Sequence, residues 1–255
     1  MLTFKNSILI AFVMAVITGA LIFLFGLSLW WLVLPVILMA SAILAGSFNI
    51  GWSFYFEVIN RINSNNSVVL TFDDGPDEAV TPKILEVLRE NNVQAVFFVI
   101  GQKAEKFPGL VKQLFDEGHI IGNHSYRHHN FYGFWSSQKV ADDIVKTGET
   151  VKKIIGVTPH FFRPPFGVTN PNIKTALKRL KLLPIGWSLR SLDTMNKGPE
   201  KLKKRISKVK AGDIVLFHDR ITGIDHVTDE FIKTCRQQRL GFARLDVALK
   251  TDAYE

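Results

Sequence analysis

The chain is nearly free of sulfur chemistry. Its 255 residues hold one cysteine, Cys235. That excludes a disulfide framework and a thiolate zinc site. It leaves the compartment open, because a domain of this size folds without disulfides. The 18 glycines and 10 prolines follow no fibrous period. Charge is missing altogether from one stretch: no charged residue and no histidine lies between Lys5 and Glu57. Elsewhere charge is ample, and a composition 47% hydrophobic and 21% charged excludes a disordered chain. The length suits one domain, or one domain with an anchor.

Crossing a bilayer as helix takes roughly 20 apolar residues. The uncharged run is long enough for two spans, Ser7–Phe25 and Leu29–Ser47, with Gly26-Leu27-Ser28 as a tight turn. A signal peptide has a shorter apolar core followed by a cleavage site and polar chain, whereas this run continues. A single long or re-entrant segment and a buried core hairpin are the other arrangements the pattern allows. Trp30, Trp31, Trp52, Phe54 and Tyr55 suit membrane interfaces, and Pro35 is expected to kink the second span. Residues 1–56 therefore read as a membrane anchor, 57–66 as a connector containing the polar run that starts at Asn60, and 67–255 as a separate folded domain.

Only Lys5 lies upstream of Glu57, so the remainder carries 30 Lys and Arg against 23 Asp and Glu, a balance of +7. A basic domain beside a membrane suits anionic lipid heads or an acidic glycan. The densest basic run, Lys201–Lys210, has Leu202, Ile206 and Val209 at helical spacing. It reads as the solvated face of a packed helix, and no nucleic-acid partner is expected.

Beyond the connector, short β-rich runs alternate with helical stretches. The runs are Val68–Phe72, Ala95–Ile100, Ile120–Gly122, His160–Arg163, Leu183–Trp187, Ile214–His218 and Gly241–Leu245. The helical stretches lie near Thr81–Glu90, Pro108–Glu117, Ser136–Ile155, Asn170–Leu180, Glu200–Lys210 and Asp225–Gln238. Thr81-Pro82 and Asn170-Pro171 read as helix caps followed by proline. Alternation of this kind implies parallel strands with crossover helices, and an open doubly wound sheet and a (β/α) barrel both fit.

In such folds the chemistry gathers where strands end. The run VVLTF ends in Asp73-Asp74-Gly75-Pro76, IIGN leads to His124 with His128 four residues on, and HFF leads to Arg163-Pro164-Pro165-Phe166-Gly167. A fourth run leads to Asp193 and a fifth to His218-Asp219. Adjacent carboxylates repel, and a bound cation relieves that cost; an acidic turn is the plainer reading. Spacing of i, i+4 puts His124 and His128 on one side of a helical turn, as two metal ligands require. His129 would point away. One carboxylate with two imidazoles suits zinc hydrolases and also iron oxygenases. The second aspartate then suits a general base. His218 could be a third ligand, a general acid or a structural histidine, and spacing does not separate these.

Thr71-Phe72-Asp73-Asp74-Gly75-Pro76, His124-Ser125-x-x-His128, Arg163-Pro164-Pro165-Phe166-Gly167, Asp193 and Leu216-Phe217-His218 stand in the order of five motifs. In this the chain resembles the polysaccharide deacetylases, the NodB-homology domain of carbohydrate esterase family 4, over about Ser67 to Leu245. The resemblance implies a distorted (β/α) barrel, here preceded by a transmembrane helical hairpin. It implies metal-dependent removal of N-acetyl groups from amino sugars, with a divalent metal ion, zinc (Zn2+) or another transition metal, as cofactor. By motif position Asp74, His124 and His128 would be the metal ligands and Asp73 the general base acting on metal-activated water. Arg163 would pair with Asp73, and His218 would be the general acid, oriented by Asp193. Leu216 would line the pocket for the acetyl methyl. The Phe166 backbone N–H would bind the oxyanion, with Pro165 and Trp187 also on the substrate side. Three positions depart from the family pattern. Phe166 replaces a tyrosine, Arg190 an aspartate and Thr194 a tryptophan of the groove wall. Arg190 and Thr194 suit a more anionic acceptor, such as a lipid-linked glycan phosphate, beside the usual glycan. A deformylase, an O-acetyl esterase and an inactive glycan-binding membrane protein are the alternatives on the same scaffold. The expected location is the bacterial cytoplasmic membrane. Two spans and Lys5 would put the domain in the cytoplasm, and one span would put it outside.

Overall fold

The computed structural model describes residues 2–195 and 199–255. Two apolar helices come first. α1 (Phe4–Phe25) starts at Thr3, whose hydroxyl accepts from the Asn6 amide, and stops at Gly26, whose φ of 64° is left-handed. Glycine takes that conformation without a Cβ clash. A 3-10 turn, Leu29–Leu32, runs into α2 (Val33–Phe48). Pro35 sits in the first turn of α2, where amide donors lack helical partners in any case, so it marks the 3-10 junction instead of kinking a span. Both segments are long and apolar enough to cross a membrane, with mean hydropathies of 2.9 and 2.2. Neither is a core helix: 0% and 11% of their apolar windows are buried.

The open ends of the hairpin are tied to the rest of the chain. The Phe4 amide donates to the Phe54 carbonyl at 2.9 Å. The rings of Phe4, Phe54 and Tyr55 pack together, and the Ser47 and Tyr55 hydroxyls lie 3.2 Å apart.

Eight strands form one parallel sheet. In chain order the elements are β1 (Ser67–Asp73), α3 (Thr81–Glu90), β2 (Val96–Val99), α4 (Gly101–Lys106), α5 (Pro108–Asp116), β3 (Ile120–Asn123), α6 (Ser137–Ile155), β4 (Phe161–Phe162), α7 (Pro171–Leu180), β5 (Leu183–Pro184), β6 (Leu189–Arg190), α8 (Pro199–Ile206), β7 (Ile214–His218), α9 (Ile224–Gln237), β8 (Gly241–Phe242) and α10 (Leu245–Leu249). The strand order is β5-β4-β3-β2-β1-β7-β6, with β8 pairing β1 at its start. Every pairing is parallel. The sheet is therefore a distorted, incompletely closed (β/α) barrel, and its two edge strands, β5 and β6, are consecutive in the chain.

The run expected as one strand, Leu183–Trp187, is strand only at Leu183–Pro184, and the other edge, β6, starts beyond it at Leu189. Leu183 and Pro184 pair with β4. The Gly186 amide is then taken by the Ile59 carbonyl at 2.9 Å, and pairing resumes with β7 at Leu189. Residues 58–62 bridge to both sides of this gap, Ile59 with Ile185 and Arg61 with Asp213, and Val58 and Ile62 are buried.

Side chains of a strand alternate faces, and here the alternation separates two apolar layers. Val68, Leu70 and Phe72 of β1, with Val215 and Phe217 of β7 and Ile121 of β3, join the outer core under the helices. Val69 of β1, Ile214 of β7 and Ile120 of β3 join the inner core. Continuing that parity puts Asp73, His218, Leu216 and His124 on the inner side at the strand ends. Helix signals fared unevenly. Asn170 caps α7 by accepting from the Ile173 amide. Thr81 is not the cap of α3, which begins after Val80; its hydroxyl donates instead to Asp219. On α8, Ile206 and the following Val209 are buried while Lys201, Lys203 and Lys204 are exposed.

Candidate active site

β1 and β7 are paired in register, with Asp73 opposite His218, so two polar side chains stand together where both strands end. Arg163, fully buried, lies behind Asp73. Its Nη1 donates to Asp73 Oδ1 at 2.7 Å and to Thr71 Oγ1 at 2.8 Å. Its Nε and Nη2 donate to the carbonyls of Ile185 and Gly186, and its guanidinium lies 4.1 Å from the Phe98 ring centre. A buried cation is tolerated only when paired and fully bonded. Each of its three nitrogens donates here, and the counter-charge is Asp73.

Asp74 turns the other way, its backbone held at φ 77°. Its Oδ1 lies 3.5 Å from His124 Nε2 and 3.3 Å from His128 Nε2. The donor atoms of these three residues all lie within 4.8 Å of one another. Zinc bonded tetrahedrally at about 2.0–2.1 Å separates its ligands by roughly 3.3 Å, so the spacing fits. His124 Nδ1 lies 2.7 Å from the Arg163 carbonyl. In neutral imidazole that contact puts the hydrogen on Nδ1 and a lone pair on Nε2, toward the carboxylates. Burial opposes charge on His124, but Asp73 and Asp74 outweigh it and raise its pKa. Burial, helped by the charge of His124, pushes His128 down to about 4. Burial also opposes ionisation of Asp74, yet His124, Arg220 and His128 together hold its carboxyl well below the usual range. The negative field of Asp73 and Asp74 around His124 is one that a divalent cation would satisfy. Asp74, His124 and His128 would hold it.

The two imidazoles do not converge from a helical turn, as their spacing suggested. Residues 124–129 form a loop, with Ser125 at φ 66° and His128 at φ 45°. Ser125 Oγ accepts from the His128 amide at 3.0 Å and fixes the bend. Left-handed non-glycine residues cost energy and collect at functional sites. Here Asp74, Ser125, His128, Phe166 and Leu192 all have positive φ.

His218 is gripped twice by Asp193. Its Nδ1 lies 2.7 Å from Oδ1, and its backbone amide donates to Oδ2 at 2.8 Å. Burial lowers the imidazole pKa, but the Asp193 contact, with the charges of Asp73 and Asp74, raises it overall. A cavity of about 200 Å³ opens on Asp73, Asp74, His124, His128 and His218; Phe166, Trp187, Leu216, Arg190 and Thr194 also line it. The Phe166 ring packs edge-on against His128 at 4.5 Å. Pro165 does not line this cavity; it is buried in the loop, so its part is to shape the backbone before Phe166. Arg163 and Asp193 stand behind the cavity.

Arg220 escaped sequence reasoning, and Asp219 was placed at its strand end without a role. Arg220 Nε donates to Asp74 Oδ2 at 2.7 Å, filling the oxygen that faces away from the histidines. Asp219 is buried, accepts from Thr81 Oγ1 at 3.1 Å, and burial raises its pKa to about 7. The only local signal was their position directly after His218.

Residues 60–185 match the family model described as polysaccharide deacetylase. A peptidoglycan-N-acetylglucosamine deacetylase of Bacillus cereus is 33% identical over 190 residues, 72% of this chain and 68% of that one. The chain belongs to the polysaccharide deacetylase family. A solved peptidoglycan N-acetylglucosamine deacetylase, in complex with 4-naphthalen-1-yl-N-oxidanyl-benzamide, is 32% identical with a TM-score of 0.72, over 77% of this chain and 94% of that one. The polysaccharide deacetylase fold also carries a pseudoenzyme, of carbohydrate esterase family 4, from Bacillus anthracis. It is 26% identical with a TM-score of 0.70, over 76% of this chain and 69% of that one. Architecture alone therefore does not make an enzyme; the side chains at the strand ends decide.

Proposed function

We propose that this polysaccharide deacetylase is a metal-dependent hydrolase that removes N-acetyl groups from the amino sugars of a glycan held at a membrane. One observation carries the reading. A carboxylate held by a buried arginine and an imidazole held by a carboxylate stand on paired strands, beside three clustered metal-ligand donors.

A divalent cation, zinc by the donor set, would polarise the acyl oxygen and make water more acidic. Asp73, held in place by Arg163, accepts the proton of the attacking water. The water oxygen bonds to the acyl carbon, and the backbone amide of Phe166 donates to the oxygen that becomes negative. His218, charged through Asp193, gives its proton to the sugar nitrogen as the carbon–nitrogen bond breaks. Acetate and a free amine leave. Leu216 shapes the space for the acetyl methyl. Each positioned acid or base contributes roughly 10²- to 10⁴-fold.

Membrane attachment is supported by α1 and α2, and by the loop after His128. Phe131 and Phe134 there are 63% and 86% exposed, and Phe134 shares a groove with α2. Single exposed apolar residues are ordinary, but a cluster beside an apolar helix suits a lipid surface.

The test uses full-length protein in detergent, stripped with chelator and offered N-acetylated glycan oligomers. Acetate release should return with zinc and fail to return in Asp73→Asn. Absence of acetate from every N-acetyl amino sugar tried, with each divalent transition metal, overturns the reading.

A further inference from the structure

Two further cavities border the catalytic one, and they differ in chemistry. The first, about 380 Å³, is lined by Arg61, Arg190 and Arg205 with Trp187, Asn49 and Phe48 among its walls. Arg61 is already paired, with Asp213 at 2.6 Å. Among the described residues no carboxylate pairs with Arg190 or Arg205. Arg205 Nε donates to the Arg190 carbonyl at 3.0 Å, which leaves its terminal nitrogens for something else. Arg190 Nε is buried with no partner. Two unpaired guanidinium groups in one recess are repulsive unless an anion joins them, and forked guanidinium donors match phosphate oxygens.

The second cavity, about 690 Å³, is an apolar groove. One wall is a single face of α2, residues Ala40, Ile43, Leu44 and Ser47, and the other includes Phe134 and Phe166. From Ala40 to Phe48 the groove follows the helix for about 12 Å. It therefore reaches into the part of α2 that would lie in lipid.

The three cavities share walls. Phe48 borders both the groove and the arginine recess. Trp187 and Arg190 border both the recess and the catalytic cavity, and Phe166 borders both the groove and the catalytic cavity. Each of the three therefore borders the other two. The same α2 end is bonded to the loop that carries Phe166, since the Thr169 amide and hydroxyl donate to the carbonyls of Ser47 and Gly46 at 2.9 and 3.2 Å.

Building on the amide-hydrolase reading, we infer that the substrate is a membrane-held amphiphile, an N-acylated amino sugar joined through phosphate to a lipid tail. The tail lies along α2, the phosphate sits between Arg190 and Arg205, and the acyl group meets Asp73 and His218. A neutral polymer uses neither the unpaired arginines nor a groove on an apolar helix.

Full-length protein with zinc, in detergent micelles, is given three substrates carrying the same N-acetylglucosamine: a long-chain polyprenyl phosphate conjugate, a long-chain alkyl glycoside without phosphate, and a water-soluble nucleoside-diphosphate sugar. Acetate release is read as kcat/KM. The polyprenyl phosphate conjugate should exceed each of the others by about tenfold or more, the scale of a charge-assisted pair. In Arg205→Gln the ratio of phosphate-linked to phosphate-free lipid substrate should fall about tenfold. A ratio does not depend on how much of the variant folds. Equal rates on the two lipid substrates, or a ratio unmoved by Arg205→Gln, overturn the phosphate subsite. A soluble nucleotide sugar turned over as well as the lipid conjugate overturns the membrane source. No acetate from any of the three overturns the hydrolase reading itself, a separate result.

Discussion

Asp73 and Asp74 are adjacent and chemically identical, yet their surroundings give them different work. Asp73 faces a buried guanidinium, Asp74 two imidazoles. Asp73→Asn should therefore keep metal and lose about 10²- to 10⁴-fold in acetate release, whereas Asp74→Asn should lose the metal. Metal content after dialysis, measured beside turnover, separates the two, and the reverse pattern would exchange their roles. His218 carries a pH prediction. Asp193 raises its pKa against burial, above an ordinary imidazole value of about 6.5. The acid form is the working form, so activity falls as pH rises through the raised value. In Asp193→Asn burial wins, and the alkaline limb of kcat/KM should move to lower pH. Stability has the same sign. The pair's contribution is complete below the unfolded pKa and is lost as pH rises through the folded one, so the melting-temperature gap between wild type and Asp193→Asn should narrow from pH 6 upward. A limb that stays in place would leave His218 without the acid role. Most of these residues could be read in advance, because each follows an apolar strand directly. Arg220 could not, since its partner Asp74 lies 146 positions away and nothing near it marks the contact.

Elements were readable where they were long or cleanly capped. α3 spans the expected Thr81–Glu90, and β7 the expected Ile214–His218. α4, six residues long, gives too few turns for a period to show. The end of strand pairing within the run Leu183–Trp187 depended on Ile59, which no local pattern places beside Gly186. The approach of His128 depended on left-handed backbone at Ser125 and His128, positions where residue type predicts the opposite. The junction of α2 with the loop that carries Phe166 is likewise a tertiary feature, and it can be tested. Gly46 lies so close to the Phe54 ring that a Cβ would overlap it. Phe54 cannot retreat, being buried between Phe4 and Tyr55. Gly46→Ala should cost about 1–3 kcal/mol and, by shifting the carbonyl that Thr169 bonds, reduce acetate release as well. Thermal melting and turnover in the same detergent check both. An unchanged melting temperature would mean that the helix is only loosely seated.

At the scale of the whole molecule, the hairpin and the domain make a claim about sidedness. The turn at Gly26 reverses the chain between two helices of membrane-crossing length, so as the proposed spans they would put an even number of crossings between the N-terminus and the site of Asp73 and His218. Independently, the amide of Phe4 is bonded to the carbonyl of Phe54, which brings the chain start against the domain. Lys5 and the +7 domain would thus share one face, where anionic headgroups would attract the domain. A short epitope at the N-terminus and a protease site in an exposed catalytic loop, such as the one carrying Phe134, should therefore be accessible from the same side of sealed vesicles of one orientation. Both should be protected together when the orientation is reversed. The chain should also stay with the membrane through alkaline carbonate, which strips proteins held by surface charge alone. Opposite accessibility of the two sites would mean a single crossing. The Phe4–Phe54 bond could not then exist, and the groove along α2 would open away from lipid.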